Sequence, residues 1–124
     1  MAQPRILLVD DDPEIALFLE LLFELEGLAL EVAESGAALA ARLERPGIDC
    51  ILLDVTLPDA DGIELCAAIK RGGAALPVVV ASALPGDEVE ERARAAGADD
   101  YLSKPFDNAD LIRRLRLQVG ASPR

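Results

Sequence analysis

The chain has 124 residues, 52 % hydrophobic and only 3 % aromatic, and its 12 basic and 23 acidic side chains leave a formal charge of −11. That is one domain's worth of chain, with material for a core and no Pro/Gly/Ser tract that would argue for disorder. The negative field excludes a general nucleic-acid-binding surface, and the lack of His excludes zinc sites, His-based triads and a phosphohistidine on this chain.

Ile6–Val9 is continuously apolar, as strands covered on both faces are, and Asp10, Asp11 and Asp12 follow it. Asp12 predicts the N-cap of a first helix, with Pro13 at the first position and Glu14 at the positive dipole end. Ile15, Phe18, Leu19, Leu22 and Phe23 then recur at helical spacing. A strand over Leu28–Ala33 leads to Ser35, the cap of a second helix that carries Leu39 and Leu43 and ends by Pro46 and Gly47. The third strand, Ile48–Leu53, runs into Asp54. Asp61 with Glu64 reads as an acidic capping box ahead of Leu65 and Ile69, and Lys70 as the ordinary basic end of that helix. The fourth strand, Pro77–Ala81, ends at Ser82. Asp87 with Glu90 repeats the capping spacing; acids lead that helix, Arg92 and Arg94 follow, and Gly97 stops it. Tyr101–Leu102 is a fifth strand, followed by Ser103, Lys104 and Pro105. Asp107 with Asp110 opens a last helix with an apolar stripe of Leu111, Ile112, Leu115 and Val119. Cys50 and Cys66 lie in apolar stretches and read as small core residues. No signal peptide and no apolar run of about 18 residues is found, so a cytoplasmic protein without a membrane span is expected.

The βαβαβαβαβα order predicts a parallel sheet with helices on both faces and right-handed crossovers. Ligands bind such sheets outside the carboxyl ends of the strands. Asp10–Asp12, Asp54, Ser82 and Ser103–Pro105 sit there. If strands one and three are neighbours, several carboxylates converge and repel; a hard divalent cation such as Mg²⁺ relieves that. Asp12, Asp59, Asp61, Asp87 and Asp107 read instead as caps and solvated loop acids. Phosphoryl transfer needs a nucleophile, neutralising charge and oriented donors. Asp54, a metal with Lys104, and Ser82 match those roles.

The segments Ile6–Pro13, Leu53–Gly62 and Gly97–Phe106, in order and with Ser82 between them, resemble the receiver domain of bacterial two-component response regulators. The winged-helix transcription-factor branch is the most similar. The resemblance covers about residues 4–119, leaving 120–124 as a polar tail or the start of a linker. It implies a flavodoxin-like (βα)5 fold, a doubly wound parallel sheet with strand order 2-1-3-4-5. It further implies Asp54 as phosphoacceptor and Mg²⁺ (or Mn²⁺) held by Asp11, Asp54 and the Thr56 backbone carbonyl, with Asp10 acting through a water. Ser82 matches the switch hydroxyl, Lys104 the phosphate-binding lysine, Tyr101 the aromatic switch residue that rotates inward, and Pro105 a proline after a cis bond. Thr56 and Leu84 match the positions flanking the path of the dephosphorylating water, which implies a long phosphoryl lifetime.

The expected function is a phosphoryl-accepting switch. Its donor is a phosphohistidine on a sensor histidine kinase or histidine phosphotransfer protein, and its output face is built from helix four, strand five and helix five. It is not an enzyme beyond its own phosphorylation and dephosphorylation. An effector domain or protein is an expected partner; direct nucleic-acid binding and membrane attachment are not. Asp99, Asp100, Arg113 and Arg114 are the charges expected to serve a homodimer. That dimer is expected to be weak, because Glu90 stands where the branch usually has a base facing the acid at Asp110. The rivals are a receiver that docks without phosphorylation, an aspartyl-phosphate phosphatase and an FMN binder. Thr56 stands where such a phosphatase needs a second Asp, and three Asp stand where FMN needs a Ser/Thr/Gly-rich loop.

Overall fold

The three continuously apolar runs become the three central strands of one parallel sheet. The computed structural model describes residues 3–73 and 75–121. Strands β1 (Arg5–Val9), β2 (Ala29–Ala33), β3 (Cys50–Asp54), β4 (Val78–Ser82) and β5 (Asp100–Ser103) alternate with helices α1 (Pro13–Glu26), α2 (Gly36–Leu43), α3 (Gly62–Arg71), α4 (Asp87–Ala95) and α5 (Asn108–Ala121). The order is β2-β1-β3-β4-β5 and every pairing is parallel. Every residue of β3 and β4 is buried, whereas β2, at an edge, is half-buried over Ala29–Glu31 and exposes Val32. This is how strands behave when helices cover both faces of a sheet.

Successive side chains point to opposite faces. Leu7, Val9, Ile51, Leu53, Val78 and Val80 meet Leu39 of α2, Ile63 and Cys66 of α3 and Val89 of α4. On the other face Ile6, Leu8, Leu52 and Val79 meet Leu19 and Phe23 of α1 and Leu111 and Leu115 of α5. Both cysteines are core residues, and burial pushes the Cys50 thiol up to about 12. The apolar stripe of α1 is narrower than its sequence: Leu19 and Phe23 are fully buried, but Phe18 is 46 % exposed.

Helix starts follow local chemistry. Asp12 accepts from the Glu14 N–H, Ser35 from Ala38, Asp61 from Ile63 and Asp107 from Asp110. Helix α4 differs from expectation. Its N-cap is Gly86 at φ 97°, without a side-chain bond, and Asp87 is the first helical residue. The chain enters this helix through a left-handed conformation that glycine adopts freely, so the cap moves one residue upstream. Asp87 then acts with Glu88 and Glu90 only on the helix dipole. Gly97 (φ 97°) ends α4 as expected, its N–H on the Arg94 carbonyl and the Ala98 N–H on that of Ala93. Helix α2 stops at Leu43, short of Pro46 and Gly47. Helix α5 continues through Gly120 and Ala121 into the segment read as a tail; residues 122–124 lie outside the described residues.

Two charged residues do more than their sequence context implied. The Lys70 ammonium donates to Asp99 at 2.5 Å and to the Leu76 carbonyl, and Asp99 also accepts from the Val78 N–H. This ties the end of α3 to the starts of β4 and β5, at the rim opposite the acids. Lys70 is therefore a tether, not an ordinary helix end, and Asp99 is committed within the chain instead of being a free surface acid.

After β3 the chain makes a small antiparallel hairpin. The Gly62 N–H donates to the Val55 carbonyl, the Leu57 N–H to that of Ala60, and Thr56 faces Asp61. Gly62 lies so close to the end of β3 that an added Cβ would stand 2.0 Å from the Asp54 carbonyl oxygen. Gly62→Ala is expected to lower unfolding stability by about 3 kcal/mol or more, the upper end of ordinary point-mutant effects, in urea denaturation.

Candidate functional site

The β1–β3 pairing puts Val9 beside Leu53, so the residues that follow, Asp10 and Asp54, emerge side by side. Carboxylate oxygens of Asp10, Asp11 and Asp54 lie within 4.8 Å of one another. Asp10 and Asp54 are buried and Asp11 is exposed. This all-oxygen donor set, open to solvent on one side, suits a hard divalent cation.

Lys104, in the turn after β5, reaches across the rim. Its Nζ lies 2.7 Å from Asp10 Oδ2 and 3.3 Å from Asp54 Oδ1. Two backbone bonds shape these strand ends: the Lys104 N–H donates to the Ser82 carbonyl, and the Asp12 N–H to Asp10 Oδ1. The Lys104–Pro105 bond is cis. Burial, reinforced by the charge of Asp10, raises the Asp54 carboxyl above its ordinary value against the pull of Lys104. Burial works against the Lys104 ammonium, yet the bond to Asp10 and the Asp54 charge outweigh it and hold the ammonium above its usual range.

The remaining residues fall around this centre. Ser82 is buried, and its Oγ accepts from the Leu84 N–H at 2.9 Å, which leaves the hydroxyl proton free to be donated elsewhere. Leu84 itself is 48 % exposed. The Thr56 N–H leans toward Asp54 Oδ1 at 3.4 Å, and its side chain faces solvent. Tyr101, expected to rotate inward on activation, is already buried at 8 % and joins the cluster of Val80, Val89 and Ala93.

Sequence reasoning missed two features. One is an apolar cleft of about 350 Å³ beside Lys104, walled by Ile15, Phe18, Pro105 and Phe106. Phe18 shares the helical spacing of Leu19 and Phe23, but the wall it meets, Pro105–Phe106, is far away in sequence. The other is Asp59. It is exposed, but its carboxylate accepts from the Gly36 N–H at 2.8 Å and the Ala37 N–H at 3.1 Å. Those two bonds, Gly36's first, hold its carboxyl below the ordinary range.

A family model for the response regulator receiver domain matches residues 6–116. The transcriptional regulatory protein TrcR of Mycobacterium tuberculosis is 36 % identical over 114 residues, which cover 90 % of this chain and 44 % of TrcR. The chain therefore spans less than half of that relative's length. The receiver domain of the Francisella response regulator 1452 superposes with a TM-score of 0.89 at 33 % identity, covering 95 % of this chain and 98 % of that one. The receiver domain of the Pseudomonas aeruginosa sensor histidine kinase PA1611, whose structure holds a magnesium ion in the active-site cleft, gives a TM-score of 0.84 at 33 % identity, covering 97 % of this chain and all of that one (100 %).

A carboxyl with a raised folded-state pKa holds its proton more tightly in the native than in the unfolded chain. Native stability then falls as pH rises from the unfolded carboxylate value through the raised one. In Mg²⁺-free buffer Asp54→Asn is expected to be more stable than the parent at pH 7. The gap should close toward and below the ordinary Asp value of 3.8. Urea denaturation across this range checks it; a gap independent of pH would refute the charge account.

Proposed function

Because the chain belongs to the response regulator receiver domain family, we propose that Asp54 accepts a phosphoryl group from a phosphohistidine on a sensor histidine kinase or histidine phosphotransfer protein. The observation that carries this reading is the convergence of Asp10, Asp11, Asp54 and Lys104 on one rim.

An Asp54 carboxylate oxygen attacks phosphorus, the O–P bond forms, and the P–N bond to the donor imidazole breaks. The bonding pair leaves with the imidazole nitrogen. Mg²⁺, or Mn²⁺ in its place, would be held by Asp11, Asp54 and the Thr56 carbonyl, with Asp10 through a water, and would supply positive charge against the phosphoryl oxygens. Lys104 stands on Asp54 and turns its ammonium to a phosphoryl oxygen as charge grows there. Ser82 has an unused hydroxyl proton to donate to another. The apolar cleft of Ile15, Phe18, Pro105 and Phe106 gives the donor protein a wall to pack on beside the reacting atoms.

Output runs through the bond between Ser82 Oγ and the Leu84 N–H. When Ser82 turns to the phosphoryl group, residues 83–86 shift, and with them the start of α4. Tyr101, buried with Val80 and Val89, is the aromatic switch residue of this reading, and its rotation passes the change through α4, β5 and α5. Glu90 is bonded to Arg94, and Asp100 and Asp110 to Arg114, all within the chain. A homodimer on this face must break or share those pairs, and we expect it to be weak. The domain performs no turnover beyond its own phosphorylation and dephosphorylation, binds no nucleic acid directly and passes its state to an effector domain or protein. No described helix is long and apolar enough to cross a membrane, and the reading places the protein in the cytoplasm.

Acetyl phosphate with Mg²⁺ is expected to add one phosphoryl group, read by intact-mass spectrometry. Asp54→Asn should abolish labelling and Lys104→Ala slow it about 100-fold, the loss typical of one oriented donor. Labelling that survives in Asp54→Asn would overturn the assignment, and a parent that takes no label would favour a receiver that docks without phosphorylation.

The lifetime of the label follows from the same site. Leu84 offers no hydrogen bond to an attacking water, and the Thr56 side chain is short. Slow loss of the phosphoryl group is expected. Leu84→Glu and Thr56→Asn, which place longer polar groups there, should accelerate the decay measured by mass spectrometry. Fast decay in the parent, or no change in either variant, would remove this account.

A further inference from the structure

The hairpin after β3 has its stem at Val55–Leu57 and Ala60–Gly62, and its tip is Pro58–Asp59. The stem carries the Thr56 carbonyl. The tip does not hang free: Asp59 spans the first two N–H groups of α2 with its two carboxylate oxygens. The third, that of Ala38, goes to Ser35 Oγ. The contact is close, since a Cβ on Gly36 would stand 3.1 Å from Ala60 Cβ and 3.3 Å from Leu65 Cδ1. Helix α2 packs on the sheet through Leu39, so it gives the tip a fixed anchor.

We infer that Asp59 is a positioning residue: by clasping the first turn of α2 from the hairpin tip, it fixes the stem and hence the Thr56 carbonyl at the metal rim. This rests on the metal reading proposed above. Two backbone bonds, from Leu57 and Gly62, close the hairpin. Without the clasp, the tip is left to solvent and the stem can twist about those bonds. A carbonyl that must meet a cation at a fixed place then has to be ordered at the moment of binding, which weakens affinity. Ser35 separates this role from simple capping. It satisfies the same helix end through the Ala38 N–H and, among the described residues, makes no side-chain hydrogen bond to the hairpin, so Ser35→Ala loosens α2 alone.

Two measurements test the inference. In metal-free protein, hydrogen exchange is read at the Leu57 and Gly62 amides: Asp59→Ala should speed both several-fold, and Ser35→Ala neither. Calorimetric titration with Mg²⁺ should show affinity weakened about tenfold in Asp59→Ala, the low end for groups that orient metal ligands. Affinity should be unchanged in Ser35→Ala, although both variants melt at lower temperature. Unchanged exchange and affinity in Asp59→Ala, or equal weakening in Ser35→Ala, would overturn the positioning role. If the parent binds no Mg²⁺, the metal reading fails and this inference with it. If the parent binds and Asp59→Ala binds as well, only the inference falls.

Discussion

One ammonium held between two buried carboxylates organises the carboxyl rim of this sheet. Asp10 and Asp54 leave adjacent strands side by side, and each is largely removed from water. Two such charges repel. Lys104 relieves this from 94 positions away in sequence, reaching past the ends of β4 and β3. Removing the ammonium costs about 3–5 kcal/mol, because both carboxylates then stay buried without their counter-charge. The triad therefore constrains β1, β3 and the turn after β5 together. It also leaves the rim short of positive charge, since one ammonium meets three clustered acids.

That shortage links stability to function. Burial of Asp54 works against its charged form, and the same burial makes a bound cation or an incoming phosphoryl group feel the surrounding dipoles strongly. The two ends of the sheet are tied differently. The Ser82 hydroxyl takes one bond, from the Leu84 N–H, whereas Lys70, Asp99 and the start of β4 lock the opposite rim.

Much of this was legible in the chain. The all-apolar runs Ile6–Val9, Ile51–Leu53 and Val78–Val80 marked the central strands, because only a doubly covered strand tolerates hydrophobic residues on both faces. Asp12, Ser35, Asp61 and Asp107 act as caps because a short polar side chain reaches the orphan N–H groups locally. One error was local, and two arose where a distant partner decided. Asp87 fitted the capping spacing, but the turn at Gly86 took the cap. Asp99 looked free because Lys70 lies 29 positions away. Phe18 had the right period for the core but faces a cleft completed by Pro105 and Phe106.

By itself the sequence determined the alternation of strands and helices, the residue types at each strand end and the net negative charge, since these depend on local periodicity and composition. The resemblance to receivers supplied the strand order, which periodicity cannot contain. Only the tertiary structure decided how the charges are shared. It brought Lys104 onto Asp10 and Asp54, bound Asp100 to Arg114, and placed the exposed Asp59 on the first turn of α2. The reason is range: a helix or strand forms from neighbours a few residues apart, whereas a charge takes whichever partner the folded chain sets within about 4 Å.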